Sequence, residues 1–321
     1  MFQRSQRDTT SSGERRSRDD TGGVELPMSR LSQTWAVARY ELTWDLRKRR
    51  TYFILGVLLL SALYFGYLVP SIGGRWTTLP PFNSGASFES SLWWVNGVNV
   101  AFNALASGLF PLLIGGFIAA DSLATEFDTN TIVPLLSQPV TRLEVYGGKF
   151  LEKFLLLLFA SALFTLMILI ASEASIGAQA QLDAFPLVVF FEFGAILQYA
   201  ALAFFVGSLV RSGSMVLGIL TGLLFGTYGT VLVLGLQFGL QEPMSLLPLV
   251  NAAFLLRVMP YSVIQPSGSM VLQGAILGNW TPQVTVTVIS AVEYVVAGLA
   301  INLAAAFTGG FYFFRKAEIK G

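Results

Sequence analysis

The chain has 321 residues, of which 54% are hydrophobic and only 12% are charged, and its formal net charge is +1. Because soluble domains usually carry about 25% charged residues, this composition predicts a polytopic membrane protein. The sequence contains no Cys and no His, which excludes disulfides, thiolate or imidazole metal sites and Ser-His-Asp catalysis. We therefore expect neither a metal site nor an enzyme activity in this chain.

Two polar segments precede the first apolar run. Residues 1–27 are rich in Arg, Asp, Ser, Thr and Gly and have little to bury, so we predict a disordered cytoplasmic tail. Residues 28–50 are predicted to form an amphipathic helix in the membrane interface, with its cations near anionic lipid headgroups. The alternative is an ordinary helix of a small soluble subdomain. The predicted apolar face comprises Leu31, Trp35, Ala38, Leu42 and Leu46.

Residues 51–321 contain six apolar runs that are long enough to cross a bilayer, which needs about 20 residues. The sequence therefore predicts an all-α polytopic membrane protein with six transmembrane helices, preceded by the interfacial helix. The six predicted spans are 52–69, 98–120, 154–171, 185–210, 215–238 and 284–314.

The distribution of Lys and Arg predicts the orientation. In a six-span arrangement, all but two of the 20 Lys and Arg residues lie on the side that holds both termini and residues 121–153. The two exceptions are Arg75 and Arg257. The positive-inside rule therefore predicts a multi-pass protein of the plasma or inner membrane with both termini cytoplasmic, and with residues 70–97 and 239–283 external.

The connection between the second and third spans, residues 121–150, has a pattern of its own: DSLATEFDTNTIVPLLSQPVTRLEVYGGKF. It predicts a helix that leaves the membrane and a short transverse helix at 132–137, with Pro134 in the first turn, where a missing N–H costs little. Thr141 and Glu144 fit a capping box that starts the next helix. The apolar side chains of the transverse helix predict a docking surface.

This connection resembles the signature loop of ABC transporter type-2 permeases, in particular the branch with the accessory permease of nitrous oxide reductase maturation. The residues that carry the resemblance are Asp121, Glu126, Thr131, Leu135, Leu136, Pro139, Arg142, Gly148 and Lys149. The resemblance implies that residues 51–321 form a permease domain. It also implies that the loop contains a coupling helix, which docks a separate ATPase subunit. All the residues just named except Gly148 are candidates for that docking and coupling.

The resemblance also implies the function and the partners. The chain would be a permease subunit that moves substrate across the membrane, paired with a second permease copy and surrounded by lipids, with no nucleic acid. ATP and Mg²⁺ would be bound by the partner ATPase, because the Gly-Lys at 148–149 lacks the flanking residues of a phosphate-binding loop. The alternatives are an ion-coupled secondary transporter and a non-transporting membrane scaffold or maturation factor.

Three further features lie in or near the predicted spans. Glu192 and Glu293 fall within spans and are candidates for an intramembrane polar site, although both are close enough to the interface to snorkel. Residues 241–266 hold apolar pieces that are broken by prolines, Pro260 among them, and would re-enter the outer leaflet or fold as an external loop. A run of glycines in the fifth span would pack against a second copy or within the subunit. These glycines are Gly218, Gly222 and Gly226.

Overall fold

The computed structural model describes the chain in several segments, and its architecture is almost entirely helical. The described residues are 30–72, 90–103, 110, 112–128, 140–210, 212–238, 247–272 and 284–316. The helices of the first half are α1 (Arg30–Asp45), α2 (Arg49–Leu63), α3 (Val69–Ile72), α4 (Trp93–Asn103) and α5 (Phe117–Asp128). Those of the second half are α6 (Arg142–Ile176), α7 (Phe185–Leu209), α8 (Gly213–Phe238), α9 (Pro248–Ile264) and α10 (Val288–Lys316).

Four helical stretches are long and apolar enough to cross a membrane, and they contain most or all of the first, third, fourth and sixth predicted spans. They are Arg49–Ser71, Arg142–Ile176, Leu182–Leu209 and Val288–Lys316. Together with shorter apolar helices, they confirm an all-α membrane protein. The predicted second and fifth spans only partly overlap shorter apolar stretches, which are Ile114–Ala124 and Gly213–Gly226. That both of these cross the bilayer stays a prediction.

The helix α7 lies at the centre of the packing. It contacts α5, α6, α9 and α10, and 83% of its most apolar window is buried, against 22% for α10. Its sequence is apolar around the whole circumference, as expected for a helix with neighbours on every side. The helices α5, α6, α9 and α10 therefore pack around α7.

The second predicted span changes its helical geometry before α5. A π-helical turn at Leu112–Gly116 precedes α5. A Cβ at Gly115 would collide with the backbone oxygen of Ile196 in α7, so only Gly allows this approach. A second π-helical turn, Tyr64–Leu68, separates α2 from α3. There a Cβ at Gly66 would lie 2.8 Å from the Cβ of Ala171.

Two predictions for the region after α8 are wrong. Pro260 was expected to break the apolar segment, but it lies inside α9, a continuous helix of 17 residues. Met259 and Pro260 are both buried, so packing against neighbouring helices stabilises α9 although the Pro260 nitrogen donates no hydrogen bond. The fold also contains an antiparallel hairpin, β1 (Ser269–Leu272) with β2 (Val284–Thr287). The alternating Val and Thr of β2 were counted in the sixth span, whereas β-branched residues favour strands.

Candidate functional site

The capping box predicted at the end of the 121–150 connection is confirmed. The Thr141 hydroxyl oxygen accepts a hydrogen bond from the Glu144 backbone N–H at 3.3 Å. In return, Glu144 Oε2 accepts from the Thr141 backbone N–H at 2.7 Å. The helix α6 therefore begins at a defined point, immediately after the segment that holds Thr131, Leu135, Leu136 and Pro139. Those four residues, like the predicted transverse helix at 132–137 and the tail at 1–27, lie outside the described residues.

The helix α1 packs tightly against the first turns of α6. A Cβ at Gly148 would lie 2.7 Å from the Cβ of Val37 and 3.0 Å from the backbone oxygen of Thr34. Real Cβ atoms essentially never come within 3.0 Å of such neighbours, so a larger residue at this position would push the two helices apart. The Gly of the loop motif thus has a physical role, which is to let α1 approach α6.

Two rows of opposite charge meet where α1 packs on α6. Lys149 Nζ lies 2.7 Å from Glu41 Oε1, and the Lys153 ammonium pairs with the Asp45 carboxylate. The two acids are four residues apart on α1 and the two lysines are four residues apart on α6, so each set lies along one helix face. We call the group the ion cluster. It comprises Glu41, Asp45, Lys48, Lys149, Glu152 and Lys153.

Further contacts complete the ion cluster. Lys48 lies 2.5 Å from Asp45, and Glu152 lies 3.0 Å from Lys153. Burial opposes the ionisation of Asp45, but Lys153 and Lys48 outweigh it and hold the pKa of its carboxyl below the ordinary value of 3.8. A lowered pKa stabilises the folded state above that ordinary value, and the stabilisation is lost as the pH falls through the lowered value. The Asp45 ion pairs are therefore intact at neutral pH.

The ion cluster corrects the predicted faces of α1. The helix ends at Asp45 and not at residue 50, and the inward side carries Asp45, which is 5% exposed. Ala38 is buried, as expected for the apolar face, but Trp35 is 53% exposed. Lys149, predicted to act in docking, is fully buried against α1. In this structure the Lys149 side chain joins two helices and does not reach the surface.

The start of α6 is also tied to the end of α10. Arg142 Nη1 donates a hydrogen bond to the backbone oxygen of Arg315 at 2.6 Å. One turn later, Tyr146 is buried, and its hydroxyl occupies the space that a Cβ at Gly310 would need. The Tyr146 ring packs on four phenylalanines at centroid distances of 5.2–6.1 Å. They are Phe204, Phe307, Phe311 and Phe314. Sequence reasoning missed Tyr146, although it lies within the loop motif.

The helix on the other side of the connection is anchored separately. The Arg50 guanidinium donates to the backbone oxygen of Phe117 at the start of α5 and lies 5.5 Å from the centroid of that ring. Asp121 and Glu126 both lie on α5. Both helices that flank residues 129–139 are therefore held by the α1–α2 region, α5 through Arg50 and α6 through the ion cluster.

Comparison with known proteins shows the family of this chain. A family model described as "ABC-2 family transporter protein" matches residues 35–319. The chain belongs to the ABC-2 transporter family. It is also similar to the probable ABC transporter permease protein NosY of Pseudomonas aeruginosa, with 32% identity over 127 residues. That alignment covers 40% of this chain and 41% of NosY. The resemblance drawn from the loop is confirmed, and the chain is a membrane component of an ABC transporter.

The two candidate intramembrane carboxylates of this ABC-2 protein occupy different environments. Glu192 on α7 is fully buried, and its carboxylate accepts a hydrogen bond from the Thr165 hydroxyl on α6. Glu293 on α10 is exposed. Within the described part of the chain, no hydrogen bond joins the two glutamates. A role for either glutamate as an intramembrane polar site stays a prediction.

Sequence reasoning also missed an amide network in the core of this family member. Gln198 on α7 donates to Asn251 on α9 at 2.5 Å and accepts from Asn302 on α10 at 3.1 Å. Asn251 in turn donates to the backbone oxygen of Val295 at 3.1 Å. In an apolar interior, amide pairs of this kind join helices. The available signal was the presence of uncharged amides inside long apolar runs.

Proposed function

We propose that this chain is the permease subunit of an ATP-driven transporter, powered by a separate ATPase that docks on residues 121–150. ATP and Mg²⁺ bind in that partner. The observation that carries the proposal is the anchoring of both helices that flank the connection, because a docking element can transmit force only through helices that are held. The residues assigned to docking and coupling are Asp121, Glu126, Thr131, Leu135, Leu136, Pro139, Arg142 and Lys149.

These residues divide into two roles in the proposed mechanism. The apolar residues of the connection, such as Leu135 and Leu136, contact the ATPase. Lys149 and Arg142 are positioning residues, since Lys149 joins α6 to α1 and Arg142 joins α6 to the end of α10. A displacement of residues 129–139 would then move α6 together with α1 and the end of α10.

The proposed topology has six spans with both termini and residues 121–153 in the cytoplasm, as the Lys and Arg distribution predicts. A single Cys placed at Thr129 tests it without background, because the natural chain has no Cys. We expect this Cys to react with a membrane-impermeant maleimide in inverted vesicles but not in intact cells. A Cys at Ser267, which is exposed in the predicted external segment 239–283, serves as the control with the opposite expectation. Labelling of the Thr129 position from outside would overturn the topology.

We further propose that α9 belongs to a segment, predicted at 241–266, that re-enters the membrane. The Gln198–Asn251 hydrogen bond joins the start of α9 to a point about 20 Å along α7. Leu255 then lies beside Gly194, so α9 runs antiparallel to α7, towards its beginning. A helix that begins beside the middle of a span and returns to the side where that span began has the geometry of half a re-entrant element.

The proposed assembly contains two permease and two ATPase subunits. A Cβ at Gly218 or Gly222 on α8 would meet no atom within 4 Å, so this face has room for a neighbouring helix. We expect an ATPase subunit to copurify with the tagged chain in detergent, and the mass of the complex in lipid to correspond to two copies of each. Absence of any ATPase would contradict the proposed function. A stable one-to-one complex would contradict only the dimer.

A further inference from the structure

The outward face of α1 is rich in aromatic side chains. Trp35, Tyr40 and Trp44 are 53%, 62% and 54% exposed, and Leu31 is more exposed still. Trp and Tyr are enriched where a bilayer meets water, because their rings are apolar and each carries a polar group at its edge. This face therefore has the composition of a membrane-interface surface, and it includes Leu31 and Trp35 of the predicted apolar face.

In α1 and the turn after it, the acidic side chains and the basic side chains lie on different sides. The two acids in this part of the chain, Glu41 and Asp45, face α6, where Lys149 and Lys153 neutralise them. The neighbouring cations, in contrast, are exposed on the outside. They are Arg39, Arg47, Lys48 and Arg49. A segment that contains both acids and bases thus presents an outward surface whose formal charges are all positive.

We propose that this surface, formed by α1 and residues 46–49, binds the phosphate groups of anionic phospholipids. Arg binds phosphate through two parallel N–H···O hydrogen bonds, and each basic residue near an anionic membrane surface contributes about 1 kcal/mol. The aromatic side chains would lie at the level of the headgroups beside these phosphates. This lipid binding is a property separate from transport, and it does not depend on ATPase docking.

A second element indicates that the binding partner is a bilayer surface and not an acidic protein. The end of α10 lies beside the start of α6, through the Arg142–Arg315 hydrogen bond, and hence at the same end of the molecule as α1. It shows the same combination of exposed groups, with Lys316 Nζ 4.4 Å above the ring of an exposed Tyr312. Two separate helices with matching aromatic and basic groups at one end fit an extended, anionic lipid surface.

The test uses the full chain in lipid vesicles. Thr43 is exposed on α1, and Thr43→Cys gives a single attachment point for a fluorophore. Quenching by brominated phosphatidylglycerol is compared with quenching by brominated phosphatidylcholine, which yields a relative association constant. We expect the anionic lipid to be preferred. Arg47→Gln with Arg49→Gln should reduce that preference severalfold, with about thirtyfold as the upper limit set by two charges.

Matched variants distinguish the effect of a lost charge from the effect of a damaged fold. Arg47→Lys with Arg49→Lys should keep the preference, and high salt should weaken it in the parent. A label at Ile289→Cys, at the other end of the protein, should show no preference that depends on Arg47 or Arg49. Equal quenching by the two lipids in the parent would overturn the proposal. So would a preference that both Gln substitutions leave unchanged, and so would absence of quenching, which would mean that protein covers this face.

Discussion

Leu135→Asp should abolish copurification of the ATPase while leaving the permease at its normal level in the membrane. In the proposed mechanism Leu135 enters a dry groove on the partner, and an unpaired carboxylate there would lose its hydration without compensation. Such burial costs at least several kcal/mol, enough to reduce the binding constant by several orders of magnitude. Membrane level is measured by immunoblot, and binding by the amount of ATPase retained on the tagged permease.

Two further variants make the Leu135 result specific. Leu135→Met keeps an apolar side chain of similar volume and should bind the ATPase like the parent. Thr141→Gly with Glu144→Ala removes the capping box, which costs about 0.5–2 kcal/mol locally. That variant should still bind the ATPase but stimulate its ATP hydrolysis less, because the start of α6 is looser. Normal ATPase binding and activity in Leu135→Asp would mean that residues 132–137 are not the docking surface.

Much of the helical architecture follows from local rules, which is why the sequence predicts it. The fourth span, predicted at 185–210, is observed as Phe185–Leu209, because a long apolar run has few alternatives to a buried helix. The capping box at Thr141 was predictable because both partners lie within four residues. The start of α6 could therefore be placed from a short motif alone.

The faces of α1 could not be predicted in the same way. Glu41 and Asp45 pair with lysines that are 108 positions later in the chain. A helical periodicity analysis assigns charged residues to the solvent side, since it contains no information about partners on another helix. Once Lys149 and Lys153 neutralise the acids, burying this face is less costly than the sequence pattern implies. The burial of Glu41 and Asp45 is thus a consequence of tertiary pairing.

The predictions for the region after α8 were wrong for a different reason. Pro260 was predicted to interrupt an apolar segment, yet α9 continues through it. Proline destabilises the interior of an isolated helix, whereas α9 is stabilised by its packing against α7 and α10. The amide network around Gln198 could not be predicted from a motif either, because it forms only where three different helices meet.

Lys153→Met should destabilise the protein by about 3–5 kcal/mol and release α1 from α6. The substitution leaves Glu152 buried without its cation, and Asp45 retains only the half-exposed Lys48. Release is measured with Ala38→Cys, because Ala38 is 1% exposed at this contact and a Cys there should resist maleimide. We expect slow labelling in the Ala38→Cys parent and fast labelling when Lys153→Met is added. Lys48→Met serves as the control, since a half-exposed ion pair contributes only about 0–1 kcal/mol.

Removing the acids together with the lysine distinguishes a lost charge from lost packing. Buried ion pairs that are replaced by apolar residues of similar volume are often neutral or stabilising. Lys153→Met with Asp45→Leu and Glu152→Met should therefore restore both stability and protection of the Cys at 38. If Lys153→Met alone leaves that Cys protected and the denaturation midpoint unchanged, the ion cluster does not hold α1. If the triple variant recovers stability but stimulates the ATPase less than the parent does, then α1 attachment is not sufficient for coupling, and the charges themselves contribute to it.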